Sequence, residues 1–324
     1  MPHQSIFQRI QKHSLFPTFL VLAAVVGVNA YLQPGFFSFD VFKSNLASFT
    51  PLILASMAQA VVIFVGGIDL SIGATITLAT VTMAATMTDS PGSIAAGVAL
   101  AALATIVVSL LNGATVGYLK LPSIISTFAV SAICYGASLL IMPQPGGYVP
   151  YVFYETYQTA LLSVLPVSLL VVLFGLAVWA FVKRRRIYRY LYAVGGDEQA
   201  AYANGINPKK VKLTAFLLSG VFIVLASLVV AAQTSTGDAN IGRAYTLNTI
   251  AAVVIGGISL RGGRGHLLGA VFGALILGFI SNIIFFANIS SFYQDLIKGL
   301  IIIFALILSI VPTLRNRRLA SKGG

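Results

Sequence analysis

Long apolar runs recur along almost the whole chain, and they limit its fold more than any other feature of the sequence. We count ten such runs, separated by shorter polar segments. A helix needs about 20 mostly apolar residues to cross the hydrocarbon core of a bilayer. Charged residues make up only 9% of the chain, whereas about 25% is usual for water-soluble domains. The sequence therefore predicts an all-α polytopic membrane protein and excludes a soluble enzyme, a disordered chain and a nucleic-acid-binding domain.

Each apolar run is predicted to form one transmembrane helix. The first run follows a basic segment, and Val28–Ala30 resembles a signal-peptide cleavage site, but the run is long for a signal peptide. We therefore expect an uncleaved first span. The predicted spans are Leu15–Leu32, Leu46–Val65 with a break at Pro51, Leu70–Met87, Ile94–Tyr118, Pro122–Met142, Leu161–Val182, Leu213–Ala232, Leu247–Leu260, Leu267–Phe286 and Leu296–Val311.

The basic residues indicate how the spans are oriented. If the N-terminus is inside and the spans alternate, 17 of the 20 Lys and Arg lie on the inner side, and only Lys43, Arg243 and Lys298 lie outside or at outer ends. Cytoplasmic loops carry such an excess of positive charge. The pattern predicts about ten spans with both termini cytoplasmic. The net charge of +12 is then explained by membrane topology and contact with lipid. The expected parts are an N-terminal segment 1–14, one transmembrane domain 15–312 containing a cytoplasmic segment 183–212, and a basic tail 313–324.

Residues that bind metals or form disulfides are rare. The single cysteine, Cys134, lies in an apolar run, so no intrachain disulfide is expected and its predicted role is that of a small apolar filler. The three histidines, His3, His13 and His266, are far apart. The sequence therefore predicts no metal site.

The cytoplasmic segment contains a short helix with recognisable ends. Gly195-Gly196 is expected to break the preceding structure, and Asp197 is a good N-cap, followed by Glu198 in the first turn. Asn204-Gly205 is a typical helix end. These signals predict a helix of about seven residues outside the bilayer. It has two possible roles: it docks to a partner, or it only completes the connection between two spans.

Four stretches carry a resemblance to a known family. Gly195 to Ile206 contains the pattern Gly-x-Asp-x-x-Ala-Ala-x-x-x-Gly-Ile, and Ser219-Gly220 lies in the span that follows. Gly66–Gly73 reads Gly-Gly-Ile-Asp-Leu-Ser-Ile-Gly, Leu121–Thr127 reads Leu-Pro-Ser-Ile-Ile-Ser-Thr, and Ala251–Gly265 ends in Arg-Gly-Gly-Arg-Gly. Together they resemble permeases of ATP-binding cassette (ABC) importers, in particular the ribose, xylose and galactose group of the superfamily that also holds branched-chain amino acid permeases. The resemblance covers about residues 45–312.

The resemblance implies a type II ABC importer-like fold and a bacterial inner (cytoplasmic) membrane protein that imports a small neutral solute. It implies ABC ATPase subunits as partners, a periplasmic or extracytoplasmic solute-binding protein, and a second permease copy or homologue. ATP and Mg²⁺ would be used by the ATPase subunits, and this chain binds no cofactor. The implied coupling helix contains Gly196, Asp197, Glu198, Ala200, Ala201, Asn204, Gly205 and Ile206. In the older coupling pattern Glu is followed directly by Ala-Ala, whereas here Gln199 intervenes, which blurs which acid faces the partner.

Polar residues inside the predicted spans are candidates for a translocation pathway. They are Gln59, Asp69, Ser71, Thr75, Asn112, Ser126, Thr127 and Asn248, with Asn282 as a further in-span amide. A neutral polyol needs hydroxyl and amide partners, whereas a proton-driven carrier would need an intramembrane acid or His relay. The alternative is that most of these groups bond neighbouring helices.

Asp69 has two interpretations of its own. An acid at the bilayer centre costs about 2.5–3.5 kcal/mol or more, so it should lie near an interface or in a wet cavity. Asp69 or Ser71 either caps the third span, or the broken helix end points its polar groups at the pathway; the two are compatible.

Two further regions also leave alternatives open. Glycines from Gly256 to Gly273 indicate close backbone approach, either within the chain or at a dimer interface. The outer loop 142–160 is rich in Pro, Gly and Tyr, which suits an aromatic belt or a docking surface for the binding protein.

Other function classes find little support in the residues. No Gly-x-x-x-x-Gly-Lys-Ser/Thr loop is present, so the chain is not expected to hydrolyse ATP. A membrane-embedded hydrolase would need a nucleophile, base or metal ligands in the spans, and no His-Glu-x-x-His occurs. A standalone carrier is the third class, and it predicts uptake without ATPase subunits. A branched-chain amino acid or nucleoside is the alternative solute within the importer class.

Overall fold

The computed structural model describes residues 15–161 and 164–290, together with residues 293, 296, 297, 299, 300 and 303. The predicted segment 1–14, most of the predicted tenth span and the tail 313–324 lie outside the described residues. The elements in chain order are α1 (Phe16–Leu32), α2 (Phe39–Phe64), α3 (Ile72–Thr86), α4 (Pro91–Gly117), α5 (Ser123–Ile141), α6 (Tyr151–Gln158), β1 (Ala160–Leu161), β2 (Leu165–Pro166), α7 (Val167–Lys183), α8 (Arg186–Gly196), α9 (Glu198–Ala203), α10 (Pro208–Thr234), α11 (Arg243–Ile255) and α12 (Leu267–Phe286).

The helices coincide with the first nine predicted spans, and α12 has the predicted ends. Within the described residues, α2, α4, α5, α10 and α12 are each long and apolar enough to cross a membrane. The pair α7 and α8 passes the same test together but is bent by 83°. The apolar helices α1, α3 and α11 are shorter. The fold is that of a mostly helical, polytopic membrane protein, with one two-residue antiparallel strand pair.

The central helix is α2, which packs against α7, α10, α11 and α12. Its residues from Ile53 to Phe64 are buried, so neighbouring helices surround it on every side. The predicted break at Pro51 is wrong, because α2 continues through that residue.

The structure gives a physical reason for the unbroken helix. Proline has no N–H, so it leaves the carbonyl oxygen four residues earlier without its helical partner. Here that oxygen belongs to Ala47, and it accepts from the Tyr157 hydroxyl at 2.7 Å and from the Gln233 amide at 2.6 Å. Side chains from α6 and α10 thus replace the missing backbone bond.

Close helix packing explains the late glycines. A methyl group on Gly273 would overlap the carbonyl oxygen of Ala252, and one on Gly269 would overlap that of Gly256. These glycines let α12 approach α11 within the same chain, which is the first of the two predicted alternatives. Cys134 is a buried free thiol packed with Ala74, Val108 and Val130, as predicted for an apolar filler.

The basic run that begins at Lys183 lies at the end of α7 and the start of α8, and α9 follows α8. The predicted break at Gly195-Gly196 is confirmed, because α8 ends at Gly196 and α9 begins at Glu198. Gly195 lies in its last turn, where the absence of a side chain allows contact with the carbonyl oxygen of Phe64 at the end of α2. The short helix α9 therefore follows directly after a turn that is packed onto the bundle.

Candidate functional site

The predicted short helix is present with its predicted ends. The Asp197 carboxylate accepts from the backbone N–H of Ala200 at 2.9 Å, which makes Asp197 the N-cap of α9. At the other end the Asn204 amide donates to the carbonyl oxygen of Ala200 at 2.8 Å, and Gly205 has a φ of +78°. The helix has six residues instead of about seven. Its ends are fixed by its own side chains, so it keeps its shape without a partner.

One side of α9 faces the bundle and the other faces outward. Ala201 is buried and Ile206 is half-buried, whereas Tyr202 is 70% exposed. The other predicted coupling residues, Gly196, Asp197, Glu198, Ala200, Asn204 and Gly205, are exposed. The helix thus presents a continuous free face that is able to contact another protein.

The two acids of this segment differ in their contacts. Glu198 accepts from Lys212 on α10 at 2.6 Å, whereas Asp197 is occupied by its cap bond. Glu198 is half exposed, so this ion pair contributes little stability of its own. Beside it lies a cleft of about 1080 Å³ between the α2–α3 turn, the α4–α5 connection and the start of α10, with Lys120, Lys209 and Tyr202 on its wall.

A second polar region surrounds the turn Gly66–Ser71 between α2 and α3. This stretch is not helical, and its backbone groups need other partners. The N–H of Ile68 donates to the Ser123 hydroxyl at 3.0 Å, and that of Leu70 donates to the Thr127 hydroxyl at 2.9 Å. The Gln59 amide, oriented to satisfy both of its groups, donates to the carbonyl oxygen of Asp69 at 2.9 Å and accepts from its N–H at 3.3 Å.

The Asp69 side chain lies inside this region and is 2% exposed. Its Oδ1 accepts from the N–H of Ser71 at 2.8 Å and from the Ser71 hydroxyl at 2.6 Å. The Asn112 amide on α4 donates to the Ser71 oxygen at 2.7 Å. Asp69 therefore holds Ser71, the residue at which α3 begins, but neither side chain makes a cap bond to the helix, which differs from the capping interpretation. A buried chain of three polar side chains links the start of α3 to α4.

The predicted pathway residues separate into two groups. The structure brings together Gln59, Asp69, Ser71, Asn112 and Thr127, with Thr75 bonded to the carbonyl oxygen of Ser71 at 2.8 Å. Ser126 bonds Thr115 instead, at 2.5 Å. Asn248 is half-buried on α11 and makes no hydrogen bond to this cluster, and Asn282 donates to Asn45 at 2.8 Å.

Several contributing residues were missed by the sequence reasoning. Ser123 supports the turn from α5, and the Leu-Pro-Ser pattern that begins at Leu121 was the available signal. Arg243 was placed at an outer end, yet its guanidinium lies over the ring of Tyr135, in the interior of α5, at 5.5 Å. No local signal pointed to that contact, because it depends on how deeply the segment before α11 enters the bundle.

The segment before α11 is a second non-helical stretch held by α3. The N–H of Gly242 donates to the Thr77 hydroxyl at 3.0 Å, and a methyl group on Gly242 would overlap the carbonyl oxygen of Gly73. Irregular backbone is tolerated in a membrane protein only where it is buried in protein or lines a cavity. Both short helices, α3 and α11, therefore begin at broken junctions whose polar groups are satisfied by neighbouring helices.

The predicted outer loop 142–160 combines the short helix α6 with three tyrosine contacts. The Tyr148 hydroxyl donates to Asp89 at 2.6 Å, and this bond to a carboxylate raises the pKa of Tyr148. Tyr157 on α6 is buried against α2 through its bond to Ala47. Tyr151 and Tyr154 pack together with ring centroids 5.7 Å apart.

Comparison with known proteins gives these features a context. The family model described as "Branched-chain amino acid transport system / permease component" matches residues 41–306. The chain belongs to this family. Its relatives include the ribose import permease protein of Haemophilus influenzae, 31% identical over 90% of this chain and 91% of the relative. The D-allose transport system permease protein of Escherichia coli is 28% identical over 90% of each chain, and the autoinducer 2 import system permease protein of Enterobacter sp. is 30% identical over 92% of this chain and 87% of the relative. No solved structure gave a significant match.

The family assignment agrees with the resemblance inferred from the motifs. The matched region contains α9, the turn Gly66–Ser71 and the glycine-rich segment after α11. These permeases are non-catalytic subunits, so ATP hydrolysis belongs to a partner. This permease is therefore expected to bind a solute and to change conformation, and not to catalyse a reaction.

Proposed function

We propose that this permease is the membrane-spanning subunit of an ABC importer that carries a monosaccharide or a similar neutral solute across the bacterial inner membrane. The observation that carries the proposal is α9, a self-capped helix with an exposed face, within a chain whose relatives are named for ribose, allose and autoinducer 2 import. A branched-chain amino acid or nucleoside is the alternative solute. Uncharged pathway candidates such as Gln59, Asn112 and Thr127 favour the neutral one.

The proposed topology has about ten spans in one permease domain, 15–312, with both termini in the cytoplasm. The distribution of Lys and Arg supports this orientation, since 17 of 20 fall on one side. It places α8, α9 and the cleft lined by Lys120 and Lys209 on the cytoplasmic side. It places the Tyr148–Asp89 contact on the outer side, where a solute-binding protein would deliver its cargo.

The proposed mechanism assigns energy supply to partner subunits. ABC ATPase subunits, which use ATP and Mg²⁺, would dock on the residues from Gly196 to Ile206, and their closure would move α9. The exposed Tyr202 gives that surface a large aromatic contact, a residue type enriched at interaction hot spots. A second permease copy or homologue would complete the transporter and its pathway.

The test is to scramble residues 197–205 and to measure ATPase-subunit association and solute uptake. We expect both to be lost while the amount of folded permease in the membrane is unchanged. Gly92→Ala is the control, because Gly92 is exposed at the start of α4, outside the docking residues, and a methyl group there meets nothing within 4 Å. Unchanged association and uptake in the scrambled variant would overturn the assignment of α9.

A further inference from the structure

Three glycine turns meet at the end of the bundle from which α9 extends. They are Gly66 after α2, Gly195-Gly196 at the end of α8, and Gly262-Gly263 after α11. We call this meeting point the glycine junction. The three turns come from distant parts of the sequence. Gly66 leads into the turn Gly66–Ser71, Gly196 leads into α9, and Gly262-Gly263 lies between α11 and α12.

The contacts at the glycine junction are made by backbone atoms. The N–H of Gly263 donates to the carbonyl oxygen of Phe64 at 3.1 Å. A methyl group on Gly262 would lie 2.6 Å from the nitrogen of Gly66 and 2.9 Å from the oxygen of Gly195. A methyl group on Gly195 would overlap the oxygen of Phe64. Only glycines permit this approach, and Gly66, Gly262 and Gly263 also have positive φ.

Aromatic side chains surround the junction and stiffen it. The ring of Phe64 is fully buried and stacks on Tyr192 of α8 at a centroid distance of 4.7 Å, with Trp179 of α7 at 5.6 Å. The Tyr192 hydroxyl donates to the carbonyl oxygen of Gly265 at 3.0 Å.

We propose that the glycine junction is the mechanical joint through which movement of α9 reaches the interior of the permease. The proposal rests on the proposed function, since it assumes that α9 receives the ATPase subunits. Only Asp197 separates Gly196 from α9. On the other side, Gly66 opens the turn that carries Asp69 and Ser71, and Gly262-Gly263 lies between α11 and α12.

The physical argument is that close-packed backbone transmits a displacement without absorbing it. A flexible side chain between two elements can change rotamer, whereas two backbones in contact must move together or separate. The helix α9 also contacts the bundle through the buried Ala201 and continues through Ile206 into α10, and its ion pair between Glu198 and Lys212 is a half-exposed contact of two flexible side chains. We therefore expect displacement of α9 to reach α2, α3 and the α11–α12 connection through the junction.

Two helical glycines provide a matched pair of variants. Gly195→Ala places a methyl group against the Phe64 oxygen, whereas a methyl group on Gly136, in α5 and outside the junction and α9, meets nothing within 4 Å, and neither residue has a positive φ. The transporter reconstituted in proteoliposomes with its ATPase and binding-protein partners is assayed for solute transported per ATP hydrolysed. For Gly195→Ala we expect ATPase-subunit association and ATP hydrolysis to persist while this ratio falls by about tenfold. For Gly136→Ala the ratio should match the wild type.

A second pair covers the case in which Gly195→Ala fails to assemble. Tyr192→Phe keeps the aromatic ring on Phe64 and removes only the bond to Gly265, and Tyr190→Phe is the control, since its hydroxyl has no hydrogen-bond partner among the described residues. We expect Tyr192→Phe to lower transport per ATP by about threefold with unchanged assembly.

The results distinguish failure of the proposed joint from failure of the proposed function on which it rests. A ratio within error of the wild type in Tyr192→Phe and in any assembled Gly195→Ala would overturn the joint. If the wild-type chain binds no ATPase subunit and transports nothing, the proposed function fails instead. A lower ratio in both members of either pair would mean that the loss of coupling does not depend on the junction contacts, which would also contradict the joint.

Discussion

The Asn112 side chain on α4 donates a 2.7 Å hydrogen bond to the hydroxyl of Ser71, which donates in turn to the buried carboxylate of Asp69. This chain gives Ser71, at the start of α3, a fixed partner on α4. It also satisfies an acid that would otherwise be costly inside a membrane protein.

Ser71→Ala is expected to destabilise the permease. The substitution removes the hydroxyl that bridges Asp69 and Asn112, and it leaves a buried amide without an acceptor. Such a loss costs about 1–3 kcal/mol in the free energy of unfolding. Ser227→Ala is the control, because Ser227 is equally buried but bonds only the carbonyl oxygen of Ile223 in its own helix. Equal stability of the two variants in mixed micelles would contradict a structural role for the chain.

The two side-chain hydrogen bonds to the Ala47 carbonyl oxygen predict the result of a rescue experiment. Replacing both of its donors, in Tyr157→Phe with Gln233→Leu, leaves a buried oxygen unsatisfied at a cost of about 1–3 kcal/mol. Adding Pro51→Ala supplies the N–H that the helix lacks at this point. The unfolding midpoint of the triple variant should exceed that of the double variant. If Pro51→Ala lowers stability equally in the wild type and the double variant, the replacement of the missing bond is refuted.

The N-cap of α9 predicts a graded effect on partner binding. Asp197→Ala removes the bond to the Ala200 N–H, and a lost N-cap costs about 0.5–2 kcal/mol of helix stability. ATPase-subunit affinity, measured by titration, should fall by a corresponding factor of about 2 to 30. Asp197→Ser can still cap the helix and should retain most of the affinity. A loss of the same size in Asp197→Ser would instead assign the effect to the negative charge.

Helix packing at α12 predicts opposite outcomes for two glycines. Gly273→Ala forces a methyl group against the Ala252 oxygen and should separate α12 from α11, with a lower unfolding midpoint and less protein in the membrane. Gly136→Ala, in α5, meets nothing within 4 Å and should be neutral or stabilising by up to about 1 kcal/mol. If Gly273→Ala is as stable as Gly136→Ala, the close approach of α11 and α12 is not required.

The sequence predicted local features well, because their causes are local. The cap at Asp197, the end at Gly205 and the boundaries of α12 follow from residues within a few positions of each other. The sequence did not predict that α2 continues through Pro51, because the donors that compensate for this proline lie 110 and 186 residues from Ala47. The sequence likewise predicted the helix break at Gly195-Gly196 but not the contact of Gly195 with Phe64, which lies far away in the chain.

The candidate pathway residues show the same difference between local features, which the sequence predicts, and long-range contacts, which it does not. Their types were visible in the sequence, but not the fact that Gln59, Asn112 and Thr127 converge on one turn while Ser126 bonds Thr115. Only the packing of α2, α4 and α5 decides which of them meet. The position of Arg243 against Tyr135 also depends on that packing.

ATP-driven uptake in proteoliposomes tests the central proposal most directly. The permease is reconstituted with a candidate ABC ATPase subunit, with ATP inside and a candidate binding protein and a labelled monosaccharide panel outside. We predict accumulation of one monosaccharide that requires ATP and the ATPase subunit and is lost when residues 197–205 are scrambled. Uptake that persists at the same rate without the ATPase subunit would contradict the account and identify the chain as a standalone carrier.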